Sequence, residues 1–89
     1  MLSQNMHPRI AELANQILPL TESPPEKPTE NDRKKLMSLR DKIKNLGDEP
    51  GITLSDSDET DRGYLYVITT REANRQEEFY ERNGNEWAA

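Results

Sequence analysis

Leu, Ile, Val and Phe together supply 16 of the 89 residues, and this small store of apolar side chains limits what the chain can fold into before any other feature does. It falls just under about one fifth, the level below which a highly charged chain cannot bury enough surface to offset its ordering entropy. The net charge of −5 is moderate, so a folded but marginal domain is expected. A chain of this length builds one core, close to the lower size at which a core suffices without disulfides or metal. Residues 1–89 therefore read as a single small domain, with 1–7 and 85–89 expected to be mobile and 19–28 forming a proline-rich linker between helices.

Cysteine is absent, which removes disulfides, thiol nucleophiles and cysteine-based metal sites from consideration. No apolar run approaches the ~20 residues of a membrane span, and Met1 to Asn5 lack the basic start and apolar stretch of a signal peptide. A cytoplasmic protein is the simplest expectation. No internal repeat is present.

Two helices are expected in the first half. Pro8 suits a first helical turn, and Ile10, Leu13, Ala14 and Ile17 recur at helical spacing, so a helix is predicted from Pro8 to Leu18, stopped by Pro19. His7, the single histidine, has no neighbouring group with which to form a metal or catalytic set. Pro24, Pro25 and Pro28 favour extended backbone; Pro25-x-x-Pro28 matches the pattern read by proline-binding domains, but a rigid spacer explains it more simply. The second helix opens on a capping-box signal, Thr29 with Asp32, carries the stripe Leu36, Leu39, Ile43 and Leu46, and should stop at Gly47.

The second half reads as a hairpin followed by a helix. Asp48-Glu49-Pro50-Gly51 marks a turn, Ile52 to Ser55 alternates like a half-buried strand, and Tyr64 to Thr69 resembles a stronger strand. On such a strand Leu65 and Val67 meet the helices, while Tyr64, Tyr66 and Ile68 need cover from the last helix or a second subunit. The acidic stretch between the strands lacks the glycine and the glutamate of an EF-hand loop. A second capping signal, Thr69 with Glu72, opens a polar helix that runs to about Arg82 and ends at Asn83-Gly84. The fold class expected is α+β, ordered α-α-β-β-α, with an antiparallel hairpin packed on the helices.

Charge is unevenly spread. Asp32 to Leu46 carries six bases against two acids, +4 in a chain whose remainder must sum to −9. Arg33, Lys34, Lys35, Arg40, Lys42 and Lys44 thus form an alternative basic site for phosphate or an acidic partner. No glycine-rich phosphate loop, nucleophile elbow or metal-spaced cluster occurs, so no enzymatic activity, cofactor, metal or small-molecule substrate is expected. The functional expectation is a small acidic protein-binding module, a regulatory or inhibitory accessory factor of microbial or phage type. Its partner is another protein or a second copy, the homodimer slightly favoured. Tyr64, Tyr66, Phe79, Tyr80 and Trp87 are the expected partner-binding residues, because buried aromatics dominate interface energies. The alternatives are an acidic mimic of nucleic acid that blocks a nucleic-acid enzyme, and direct nucleic-acid binding by the basic helix.

Overall fold

The computed structural model describes residues 6–46 and 56–88, with backbone alone for 56–60. Three helices, α1 (Pro8–Glu22), α2 (Glu30–Asn45) and α3 (Asp56–Arg82), account for the regular structure, and no strand occurs among the described residues. This overturns the α+β expectation. Tyr64 to Thr69 lies in the middle of α3 rather than in a strand, and the second half of the chain contributes one 27-residue helix. The turn at 48–51, the strand at 52–55 and the stop at Gly47 lie outside the described residues.

α1 forms as its pattern predicts, with Ile10, Leu13, Ala14 and Ile17 buried on one face. His7 is its N-cap, and the ring Nδ1 accepts the Arg9 N–H at 3.2 Å. The helix does not stop at Pro19 but continues to Glu22. A proline in a helix interior removes one hydrogen bond and crowds the preceding turn, at about 3 kcal/mol. Here Pro19 is exposed, while Leu18 and Leu20 on either side pack against the core. The last turn is further tied by the Thr21 hydroxyl, which donates to the Ile17 and Leu18 carbonyls at 3.3 Å. The linker accordingly begins at Ser23, four residues later than the prolines suggest.

α2 starts on the capping box read from the sequence. The Asp32 N–H donates to the Thr29 hydroxyl at 3.2 Å, and the Thr29 N–H donates to the Asp32 carboxylate at 2.8 Å. Each bond satisfies a backbone or terminal donor that the helix start would otherwise leave open. Thr29→Ala should therefore lower stability by about 1 kcal/mol, measured as a shift in the urea midpoint without a change in slope. Leu36, Leu39 and Ile43 are buried along the inward face.

α3 packs against both other helices and spans about 40 Å at the usual rise per residue, nearly the 44 Å long dimension of the molecule. Its inward stripe is Asp61, Leu65, Thr69, Glu72, Ala73 and Gln76, all buried. Only two of these are apolar. Leu65 enters the main core with Ile10, Leu13, Ala14, Ile17, Leu39, Ile43 and Leu46. Beyond it the contact becomes polar. The Thr69 hydroxyl turns back to the Leu65 carbonyl at 2.6 Å instead of capping a new helix.

Residues 85–88 fold back onto the helices, with Ala88 at Pro28 and Trp87 at Tyr80. Gly84 and Asn85 both have positive φ, 70° and 65°, which ends α3 as the Asn83-Gly84 pair predicts. The Asn85 N–H reaches the Tyr80 carbonyl at 2.9 Å, and the Ala88 N–H reaches the Pro28 carbonyl at 3.1 Å. Trp87 then lies on Tyr80, ring centres 4.6 Å apart and planes tilted by 31°. Met6 and His7 are half-buried, and Met6 packs on the core; residues 1–5 and Ala89 lie outside the described residues. No described helix is long and apolar enough to cross a membrane.

Candidate functional site

Successive residues on a helix are rotated by about 100°, so residues two apart face nearly opposite ways, whereas on a strand they share a face. α3 therefore reverses the expected pairing of Leu65 with Val67. Leu65 is fully buried, and Val67 is 52% exposed, the exposed large apolar side chain among the described residues. Tyr64, Tyr66 and Ile68 around it are half-buried. Tyr64, Val67, Ile68 and Arg71 stand at positions i, i+3, i+4 and i+7 of one strip of helix, with Val67 and Arg71 exposed and Tyr64 and Ile68 on its inner flank, where Ile68 packs on the core and both border α1 at Leu18, Thr21 and Glu22. Together with Gly63 they line a shallow depression of about 400 Å³. On the other side of Val67 a second depression, about 310 Å³, is bounded by Tyr66, Thr70, Arg71 and Asn74. Val67 is the ridge between them.

Tyr66 is held in place from α2. Arg40 donates from Nη2 to the Tyr66 hydroxyl at 2.9 Å and from Nε to the Thr70 hydroxyl at 3.2 Å. Its guanidinium carbon also sits 5.1 Å from the Tyr66 ring centre, a cation–π contact. With its polar end occupied, Tyr66 forms a fixed wall of the face. Arg71 is exposed and makes no ion pair among the described residues.

The five aromatic positions expected to bind a partner do not form one patch. Tyr64 and Tyr66 flank Val67, but Phe79 is about 22 Å further along the helix from Tyr64. Phe79 lines a separate depression with Glu26, Arg75, Glu78, Arg82 and Asn83. Tyr80 and Trp87 stack on each other and fasten the chain end. Val67, Ile68 and Arg71, absent from the expected set, complete the strip. Their i, i+3, i+4, i+7 spacing with Tyr64 is the sequence signal that a helical reading of this segment would have used.

The basic set also divides. Arg33 turns inward, donating to the Ala73 carbonyl and pairing with Glu77 at 2.9 Å. Arg40 is committed to Tyr66 and Thr70 as above. Lys34 pairs with Glu30 at 3.3 Å, both largely exposed, a contact worth ~0–1 kcal/mol. Lys35, Lys42 and Lys44 remain on the surface. The two arginines, which offer the strongest geometry for gripping phosphate, are thus committed to holding α3.

Near the linker lies a buried carboxylate, Glu72. Glu72 accepts from Arg75 Nε at 2.8 Å and Nη2 at 2.7 Å, and from Gln76 Nε2 at 3.0 Å. Arg75 Nη2 also reaches the Pro25 carbonyl at 2.6 Å, so Pro25 and the buried Pro28 serve as a fastened spacer. The hydrogen bond from Arg75 to Glu72 holds the guanidinium above its ordinary value; burial opposes this and the carboxylate charge adds to it. Among the described residues no group of three or more histidine or acidic side chains gathers as a metal site would. The chain matches no family model, no curated protein and no solved structure.

Proposed function

We propose that this chain is a non-enzymatic protein-binding module that docks through the strip of α3 around the exposed Val67, with Tyr64, Val67, Ile68 and Arg71 as the contact and Tyr66 as its wall. The observation that carries it is the exposed Val67 set among half-buried aromatic and aliphatic neighbours on a helix that two arginines of α2 tie down, Arg33 at Ala73 and Arg40 at Tyr66 beside Val67. A rigid helix bearing anchors at this spacing is one of the recurring ways in which proteins recognise each other. Rigidity lowers the entropic cost of binding, which favours a preorganised strip over the mobile ends expected from composition. Tyr80 and Trp87, occupied with each other, contribute to the fold rather than to the contact.

Val67→Glu tests this directly. An exposed substitution alters stability by no more than about 0.5 kcal/mol, whereas a charge placed at the centre of an apolar contact should cost ~2 kcal/mol or more of binding, about 30-fold. Proteins captured from extracts of the native host by the wild type should be lost with Val67→Glu and kept with the triple variant Lys35→Gln, Lys42→Gln, Lys44→Gln. The reverse pattern, with binding that falls steeply as salt rises, would place the site on α2.

A further inference from the structure

Resting on that docking strip, we infer that its occupant is an acidic segment of another protein, in which one bulky apolar residue is flanked by aspartate or glutamate. Two guanidinium groups bracket the depression of about 310 Å³ beside Val67. Arg40 of α2 bonds Tyr66 and Thr70 at one margin. Arg71 forms the other margin, since a turn of about 100° per residue places Thr70, Asn74 and Val67 between Tyr66 and Arg71 around α3. Neither arginine forms an ion pair among the described residues, and no carboxylate lines the depression. Arg33 and Arg75, by contrast, are matched by Glu77 and Glu72. Glu22 of α1 lines the adjoining depression with Arg71 but does not pair with it. The exposed Val67 thus lies between two cations that nothing described in this acidic chain neutralises.

The chemistry of this face selects its guest. Val67 and the Tyr66 ring give the depression an apolar lining, from which water is released when a bulky side chain takes its place. Planar guanidinium groups match carboxylates with paired N–H bonds, and such bonds are stronger beside apolar surface than in open water. Arg40 is preset for this role. One N–H given to each hydroxyl and the contact with the Tyr66 ring hold its guanidinium in place, with further N–H groups left to donate. A nucleic acid would require a longer basic track along its phosphates. α3 offers the reverse, because its first turns carry Asp56, Asp58, Glu59 and Asp61. The same gradient orients the guest, whose carboxylates lie level with Thr70 and Arg71, away from the start of α3. One apolar anchor and one or two carboxylates make a small interface, so the complex is transient, with a Kd on the order of micromolar or weaker.

Selection of random displayed peptides on the immobilised full chain, with Val67→Glu as the counter-selecting surface, tests this. Enriched peptides are expected to share a bulky apolar residue with aspartate or glutamate beside it. For a synthetic peptide of the enriched sequence, followed by fluorescence anisotropy, replacing its carboxylates with amides should weaken binding by about fivefold or more. Asn74→Asp should do the same, since this isosteric change at an exposed residue puts a negative charge into the depression, three residues from Arg71. Arg71→Glu should reverse the preference, so that the same selection enriches lysine and arginine; a merely structural role for Arg71 would leave the preference unmoved. Peptides that depend on Val67 but carry no acid, or an unchanged preference on Arg71→Glu, overturn the acidic occupant and leave the docking strip standing. A single-stranded oligonucleotide that binds this face more tightly than the enriched peptide, and is lost with Arg71→Glu, overturns it in favour of nucleic acid. If no peptide distinguishes the wild type from Val67→Glu, the docking strip falls with it.

Discussion

Leu65→Ala should cost about 2–5 kcal/mol and Val67→Ala no more than about 0.5, although the two residues are two positions apart and similarly apolar. Leu65 is fully buried at the point where α3 meets both α1 and α2, so its truncation leaves a cavity that three helices would have to close. A domain of this size is stable by roughly 4–13 kcal/mol, which makes the loss a large fraction of the whole. Val67 projects into solvent and leaves nothing behind. Urea unfolding followed by far-ultraviolet circular dichroism and by Trp87 fluorescence gives both values. The pair also tests the backbone itself. On a strand the two side chains would share a face and cost alike; equal losses would therefore contradict the helix over this segment.

The two shorter helices were legible because their buried faces are made of Ile, Leu and Ala at helical spacing, with a capping box at the start of α2. α3 was not, for a reason found in its inward stripe. Asp61, Thr69, Glu72 and Gln76 occupy four of its six buried positions, so the hydrophobic rhythm that identifies a helix is nearly silent along it. What remained visible was a short run of aromatic and β-branched residues, Tyr64 to Thr69, which suits a strand when judged by propensity alone. The Thr69 and Glu72 pair then resembled a helix start. In the fold Thr69 is an interior residue bonded to the previous turn, and Glu72 serves Arg75 and Gln76. Arg33 and Arg40 were hidden in the same way, since a charged run on a helix gives no sign of which members turn inward. The proposed docking strip is half legible: Tyr64 and Tyr66 belong to the expected set, but a strand pairing places Val67 toward the core.

Glu72→Ala should cost about 1.5–3 kcal/mol, the range for hydrogen bonds to a charged group. The carboxylate is 7% exposed and receives three bonds. Its removal strands Gln76, 2% exposed, whose Oε1 already has no hydrogen-bond partner, and it frees the guanidinium that holds the linker at Pro25. Glu30→Ala, which breaks only the exposed pair with Lys34, should cost ~0–1 kcal/mol. The linkage of Arg75 carries a sign as well. A cation held above its ordinary value contributes stability that is complete below that value and is lost only as pH rises beyond it. The gap between wild type and Glu72→Ala should thus stay constant from neutrality to moderate alkalinity. Thermal melts across that range, with Gln76→Ala alone and combined with Glu72→Ala, complete the comparison, and the combined loss should be smaller than the sum because the two side chains share one bond. A loss at Glu72 no larger than at Glu30 would mean that the linker is held from the other side, by the Ala88 bond to Pro28 and the Tyr80–Trp87 stack, and that Arg75 merely rests on it.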